Sequence, residues 1–486
     1  MSTAIVVAYS IVLSLLCVYG LHRSQLVYLF LRNRGRKAPE PTPLKELPIV
    51  TIQLPMFNEQ YVAKRLIESM TTIDYPRDKL EIQVLDDSTD NTVEIAHECV
   101  DELRKQGFDA VYLHRTDRTG FKAGALEAGL RVCKGELVLV FDADFVPNPD
   151  MLHRMVHQFS DPKVGMVQAR WGHINREYSL LTRVQSMMLD GHFVVEHLAR
   201  LRSGRFFNFN GTAGIWRKSA IMDAGGWEHE TLTEDMDLSY RAQLRGWRFV
   251  YLPDVVSPAE VPVEINAFKS QQFRWAKGSI QVAKKLLPMV LKADLPLKVK
   301  LEAFFHLTNN VAYLLMVVLS MLLLPNILAR TDHSLAQVLY MDLPLFAGTT
   351  CSVAVFYIVS HHALYGSAWE GIKRLPLLMS LGIGLSINNA RAVLEGLIGH
   401  ETDFIRTPKT GVKTELDQTW KKNKKTYRVK KNLMPLVELG FALYFAVSIY
   451  IAASRGHWAS LPFLFLFLAG YVYVGMLSVL HARHVS

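Results

Sequence analysis

Apolar and polar positions are segregated along this chain. Residues 4–30 (AIVVAYSIVLSLLCVYGLHRSQLVYLF) are mostly apolar and run into RNRGRK. Apolar runs return at 311–328, 342–360, 433–453 and 460–480. Each is long enough, or nearly so, to cross about 30 Å of hydrocarbon as a helix. The stretch from about 45 to 265 holds no such run. There, short β-branched segments alternate with helix-length ones: IVTIQLPMFNEQ at 49–60, EIQVLDDSTDNT at 81–92, DAVYLHR at 109–115, ELVLVFDADF at 136–145, VGMVQAR at 164–170 and RFVYLPD at 248–254. That alternation predicts an α/β sheet of largely parallel strands. The whole reads as an α/β domain inserted in an α-helical transmembrane bundle.

Charge orients the bundle. The net charge of +9 is uneven, with ten lysines and arginines in the loop 401–432 and RNRGRK after the first run. By the positive-inside rule these loops are cytoplasmic, and nucleic-acid binding is set aside as the explanation for them. An N-terminus outside then delivers the central domain to the cytoplasm. With the loop 401–432 also inside, 376–398 (PLLMSLGIGLSINNARAVLEGLI) cannot be a full crossing. Its Asn388, Asn389, Arg391 and Glu395 would be costly in lipid. Five spans result, with 376–398 an interfacial or re-entrant helix; a sixth span is the alternative.

The expected organisation is an anchor at 1–36, a linker at 37–48 and a catalytic domain at 49–265. Amphipathic interfacial helices follow at 266–300, two spans at 301–362 and the interfacial helix at 363–400. The basic loop 401–432 and a last pair of spans at 433–486 complete the chain. The first run is read as a retained anchor because its basic residues follow the apolar run. Four cysteines with no C-x-x-C pair predict neither a disulfide framework nor a structural zinc site. The expected location is a bacterial cytoplasmic membrane, with membrane lipids as partners.

Ligands of an open α/β sheet bind beyond the carboxyl ends of its strands. Asp86, Asp87, Asp142 and Asp144 all sit at such ends and should converge on one crevice. In Asp142-Ala143-Asp144 the two carboxylates of an extended chain point the same way. With phosphate oxygens they can hold Mg2+ or Mn2+, which prefer oxygen ligands and would neutralise a leaving diphosphate. TLTEDMDLSY at 231–240 brings three more acids. Asp235 is the candidate general base for an acceptor hydroxyl, with Glu234 and Asp237 orienting or capping the helix that follows. A helix N-cap is the plainer explanation for Asp235. In QQFRW, Arg274 can clamp a phosphoryl oxygen, Trp275 offers a flat face to a sugar ring, and Gln271 can bond to either. Lys122 is a candidate diphosphate contact, and Gly211 and Thr212 allow a ligand close to the backbone. Pro55, Phe57, Asn58 and Glu59 border the first strand end, where a base or ribose can sit. The combined picture is a crevice for a nucleotide-diphosphate sugar above a helical bundle.

LDDSTD, FKAGAL, VFDADFVPNPD, VQARW, FNGTAGIWR, AGGW, TEDMDLSYRAQLRGW and QQFRWAKG, in that order, resemble membrane-embedded family 2 inverting glycosyltransferases. The nearest relatives are cellulose synthase-like enzymes, above all plant mannan/glucomannan synthases and xyloglucan-backbone glucan synthases. The resemblance is dense over about 45–290 and looser through the spans to FIRTPKTG at 404–411. It implies a GT-A-type catalytic domain. Asp86 and Asp87 then contact the nucleotide, Asp144 with Asp142 binds the cation, and Asp235 activates the acceptor. Gln271, Arg274 and Trp275 hold the diphosphate and the acceptor end. Phe404, Thr407 and Lys409 match a gating loop over bound nucleotide, although Arg406 stands where the pattern has Val. A cyclic-dinucleotide-binding barrel follows the last spans of bacterial cellulose synthase; here the chain stops at Ser486, and no such control by this polypeptide is expected.

The function expected from the sequence is an inverting, processive β-glycosyltransferase. It would move hexose from UDP-glucose to a β-1,4-linked glucan and pass the polymer across the membrane. The alternatives are a β-1,4-mannan or glucomannan synthase using GDP-mannose, single-sugar transfer to a lipid, and a transporter or scaffold with an inactive nucleotide-binding domain.

Overall fold

The computed structural model describes residues 2–36, 40–329, 344–345, 347–400, 407, 409, 411 and 433–483. Most of the expected gating loop, Phe404 included, lies outside the described residues.

Seven strands form one sheet: β1 (Val50–Met56), β2 (Leu80–Asp86), β3 (Asp109–His114), β4 (Leu137–Val140), β5 (Val164–His173), β6 (Gly214–Arg217) and β7 (Arg248–Ala259). Their order is β3-β2-β1-β4-β6-β5-β7. Only β6 runs against the others, antiparallel to both neighbours. It is the strand that the sequence pattern does not reveal, because Gly-Ile-Trp-Arg is too short to show a period and is buried on both faces. Its direction matters: the FNGTA segment before it reaches the same sheet edge as the carboxyl ends of β1, β2 and β4.

Val50, Ile52 and Leu54 of β1 pack with Ile82 and Val84 of β2 on one face. The alternate positions carry polar groups that are buried too. Thr51 Oγ1 donates to Glu81 (2.6 Å) and Gln53 Nε2 to Gln83 (3.0 Å), a polar ladder between the strands that leaves only the Gln53 oxygen unmet among the described residues. Helices α2 (Ala63–Ser69), α3 (Thr92–Lys105) and α5 (Met151–Val156) cover the apolar face. The other face is covered by α4 (Phe121–Val132), α8 (Lys218–Asp223) and α9 (Glu234–Leu244), joined by α6 (Leu180–Asp190) and α7 (Leu198–Arg202). That second core continues into Leu26 and Phe30 of α1 (Ser2–Arg32), Phe356 of α13 (Ser352–Tyr365) and Leu378 of α14 (Ala368–Gly384). Sheet and membrane helices therefore share one apolar interior.

Among the described residues, four helices are long and apolar enough to cross a membrane: α1, α12 (Val311–Ala329), α16 (Met434–Ser454) and α17 (Leu461–Arg483). A fifth candidate is the pair α14 and α15 (Ser386–Ile398), bent by 42° between them. Polar residues of this pair meet α10 (Ile265–Lys292), while Arg391 stays half-exposed and pairs with Glu395 (2.8 Å). Asn388 donates to the Lys269 carbonyl (2.9 Å), and buried Lys277 pairs with Glu395 (3.2 Å). Lys269 itself is ion-paired with buried Glu438 of α16 and donates to Ser478 of α17 (3.3 Å). The expected second span is broken at Asn309–Asn310, between α11 (Leu297–Thr308) and α12. There Asn310 donates to Ser279 of α10 (2.7 Å), so it serves helix packing.

Candidate active site

A cavity of about 180 Å³ opens at the carboxyl edge of the sheet. The end of β1 gives it Pro55, the segments after β1 and β2 give Phe57, Glu59 and Asp87, and the segment after β4 gives Asp142 and Asp144. Lys122 comes from α4, Gly211 from the segment before β6, and Glu234 and Asp235 from the first turn of α9. Gln271, Arg274 and Trp275 enter from α10, and Thr407 and Lys409 also line it. Thus Asp144 and Asp235, ninety-one positions apart in the sequence, face one space.

Three expected residues do not line it. Asp86 is fully buried and accepts from the Tyr112 hydroxyl (2.8 Å) and the Ser88 N–H (2.9 Å). Its position as the last residue of β2 turns its side chain into the sheet, leaving the next residue, Asp87, at the cavity. Asn58 has a left-handed backbone (φ 54°) and ties two loops together: its N–H donates to Ser88 Oγ (2.8 Å) and its Oδ1 accepts from the Thr89 N–H (2.8 Å). Thr212 is buried beneath the acids, its hydroxyl accepting from the Asp142 N–H (2.9 Å).

Electrostatics differ around the cavity. Asp87 is held in a two-point pair by Arg115 (2.8 and 2.6 Å). Asp142 meets the Lys122 ammonium at 2.6 Å, and Lys122 also donates to the Gly211 carbonyl (2.9 Å). Burial works against the Lys122 charge, but Asp142, Glu234 and Asp235 outweigh it and hold its pKa above the ordinary value. Asp144 pairs through Oδ2 with Lys409 (2.6 Å), while its Oδ1 is buried with no hydrogen-bond partner among the described residues. Two hard carboxylates, one with an unspent oxygen, fit a hard divalent cation. Among the described residues no cluster of three or more metal-ligating side chains occurs, so ligand or water oxygens would complete the shell.

Asp235 is the most perturbed acid of the group. Burial and the adjacent Glu234 push its carboxyl up to about 7, against the pull of Lys122 and the Met236 N–H. Burial also raises Glu234, against Lys122. Asp235 is no N-cap: it lies inside the first turn of α9, which Thr233 precedes. Gly211 lies against it. With φ at +80°, its missing Cβ would stand 3.0 Å from Asp235 Oδ2. Asp237 does not line the cavity and pairs instead with Arg241 (2.7 Å) and Lys285 (3.2 Å). Gly278 of α10 lets that helix close on α9, since a Cβ there would come within 2.5 Å of Thr233. This contact brings Arg274 beside the acids, where it donates to Thr407 (2.7 Å).

The cavity also holds residues that motif reading passes over. Arg118 lies 3.2 Å from the centre of the Phe57 ring. Glu260 pairs with Arg65 (2.7 Å) and accepts from the Gly411 N–H (3.1 Å). Trp171, His173 and Asn210 complete one wall. Trp171 stands in the quoted VQARW; His173 has no sequence signal beyond its place at the end of β5.

A family described as "Glycosyltransferase like family 2" matches residues 48–278. Glucomannan 4-beta-mannosyltransferase 2 of Arabidopsis thaliana is 45% identical over 251 residues, 50% of this chain and 47% of that one. The chain thus spans about half the length of that relative. Glucomannan 4-beta-mannosyltransferase 1 of Oryza sativa subsp. japonica is 34% identical over 461 residues, 90% of this chain and 84% of the other. Among solved structures, the mannosyltransferase PcManGT of Pyrobaculum calidifontis, in complex with GDP-Man and Mn2+, has a TM-score of 0.54 at 21% identity. It covers 81% of this chain and is itself covered fully (100%), which supports the GT-A-like fold. With the family's domain lying over the sheet and a relative aligned through the membrane helices as well, this chain belongs to the family 2 glycosyltransferases, among the cellulose synthase-like enzymes.

Proposed function

We propose that the chain is a membrane-embedded inverting β-glycosyltransferase that extends a β-1,4-linked mannan or glucomannan from GDP-mannose. The names of the relatives favour mannose over the UDP-glucose expected from the sequence, and the glucan reading gives way accordingly. The observation that carries the enzymatic reading is the meeting of Asp235 with Asp142 and Asp144 at one cavity.

In this reading the nucleotide lies against Phe57, Glu59 and Asp87, and its diphosphate against Lys122, Gln271 and Arg274. Asp142 and Asp144 would hold Mg2+ or Mn2+, which offsets the negative charge that develops on the departing diphosphate. Lys409 covers the same acids from the gating side. Trp275 and Gly211 bound the acceptor end. Asp235 takes the proton from the attacking hydroxyl as its oxygen bonds to the anomeric carbon and the diphosphate leaves from the opposite face. One displacement inverts that carbon, and no carboxylate nucleophile is required. A base titrating near 7 is matched to this task at neutral pH. Glu234 keeps Asp235 basic by its adjacent charge.

The basic loops support a cytoplasmic domain, and in this reading the polymer leaves through the helices. The relatives named are plant proteins, so they give no support to a bacterial inner membrane. The test uses the full chain purified in detergent with Mn2+ or Mg2+ and radiolabelled GDP-mannose, GDP-glucose or UDP-glucose in parallel. A β-1,4-linked mannose polymer is expected. Transfer from UDP-glucose alone would restore the glucan reading, and transfer from none would favour an inactive scaffold.

A further inference from the structure

The sheet order sets the order of groups along the cavity. Phe57 and Asp87 follow β1 and β2, the two acids follow β4, and Gly211 with its neighbour Asp235 stands at β6. The next strand is β5, three places beyond β1, or roughly 14 Å at the usual strand spacing. Its last residues, Trp171 and His173, form the cavity wall there, with Leu189 of α6 beside them. If the donor occupies the β1–β4 side and the reacting centre lies at β6, what extends past it toward β5 is the acceptor.

That wall is built with unspent hydrogen-bonding groups. The His173 side chain is only 4% exposed, and its Nε2 lies 3.0 Å from Asp190 Oδ1. Asp190, the last residue of α6, also accepts from the Tyr365 hydroxyl at the end of α13 (2.9 Å). The Arg176 guanidinium lies 3.8 Å from the centre of the Tyr365 ring, fixing the tyrosine in turn. An N–H donated from Nε2 to this anchored carboxylate leaves the other nitrogen of the neutral ring, Nδ1, with a lone pair. No group among the described residues pairs with it. Next to it, the Trp171 indole N–H is buried without an acceptor among the described residues. A buried donor left unmet costs on the order of 1–3 kcal/mol, which a ligand hydroxyl recovers. One lone pair and one N–H beside an indole face match a sugar, whose hydroxyls both donate and accept.

We propose that Trp171 and His173 form a subsite for the acceptor sugar behind the one that reacts, with Asp190 and Tyr365 fixing the tautomer and orientation of His173. This rests on the polysaccharide-synthase reading above and adds to it a binding role for His173, which lies outside the shared motifs, and for its neighbour Trp171.

The test follows the full chain in detergent with GDP-mannose and Mn2+, using mannotetraose as acceptor. It measures acceptor KM, kcat, donor KM and the slow release of GDP to water without acceptor. His173→Ala should raise acceptor KM about tenfold, the loss of one good hydrogen bond, and leave donor KM and hydrolysis unchanged. His173→Gln keeps one donor and one acceptor on the same stem and should recover much of the loss. Tyr365→Phe should raise acceptor KM by a smaller factor. An acceptor KM within twofold of wild type for His173→Ala, or a donor hydrolysis rate falling in step with transfer, overturns the subsite. Should His173→Ala fail to bind GDP, the decision passes to Tyr365→Phe: a selective KM rise supports the proposal, and none refutes it. Wild-type protein inactive with every sugar nucleotide would instead remove the function on which the subsite rests.

Discussion

Replacing Asp235 by Asn separates what that carboxylate does for catalysis from what it does to the fold. Its pKa stands at about 7 against an ordinary value of 3.8, so at high pH the folded protein holds a charge that the unfolded chain carries more cheaply. At about 1.36 kcal/mol for each pH unit the upper limit is about 4 kcal/mol, and the nearby Lys122 and open cavity reduce it to an expected ~1–3 kcal/mol. The sign is set by linkage. Below about pH 4 both states are protonated and nothing is lost. As pH rises the unfolded chain ionises first, and wild-type stability declines until the folded carboxyl titrates near 7. Asn carries no such penalty. Asp235→Asn should therefore unfold a few degrees higher than wild type at about pH 8, with the difference vanishing near pH 4. The same variant should lose transfer by on the order of 10²–10⁴-fold while still binding GDP with Mn2+. Wild-type kcat should rise with pH through about 7 to a plateau. The assay pairs thermal unfolding at several pH values with radiolabel transfer. A variant less stable than wild type at pH 8, or one retaining transfer, would refute the assignment of Asp235 as a strained base.

Three further outcomes follow from the geometry. Asp144→Asn should weaken Mn2+-dependent GDP binding at least tenfold, measured by calorimetry, and leave metal-free binding nearly unchanged; equal losses with and without metal would exclude a cation there. Gly211→Ala forces φ +80° on a residue with a Cβ and drives that atom to 3.0 Å from Asp235 Oδ2. About 1–2 kcal/mol of stability and ten- to a hundredfold in kcat should be lost, with GDP affinity kept. Lys269→Met leaves Glu438 charged and buried, at a cost of ~3–5 kcal/mol, and adding Glu438→Gln should recover most of it in thermal unfolding.

Much of the site could be read from the sequence because its acids stand at ends of recognisable strands. FDADF follows VLVF, and TED opens a helix, so position in the local structure is visible without contacts. What stayed hidden depends on long-range geometry. Asp86 and Asp87 are equivalent as letters and both are buried, yet the end of β2 turns one away from the cavity and sets the other in its lining. β6 is too short for a period to emerge. The polar ladder of Thr51, Gln53, Glu81 and Gln83 would read as a solvated strand face, and only α4 lying over it explains its burial. Asn388 and Glu395 stand out in the sequence as costly in lipid, but their partners on α10 lie more than a hundred residues away. His173 and Arg118 belong to no motif, and the cavity they line from opposite sides exists only once the sheet is ordered.

Helix α10 begins at the cavity and stays clasped by α15, α16 and α17 through Asn388, Glu438 and Ser478. On the proposed reading, Arg274 and Trp275 thus serve the reaction from a helix held by membrane-length ones. A fragment cut before Ile265 would keep the sheet and all the acids yet lack one side of its own reaction chamber. The proposed catalysis would then be indivisible from membrane insertion: neither half of the molecule carries a finished site to lend to the other.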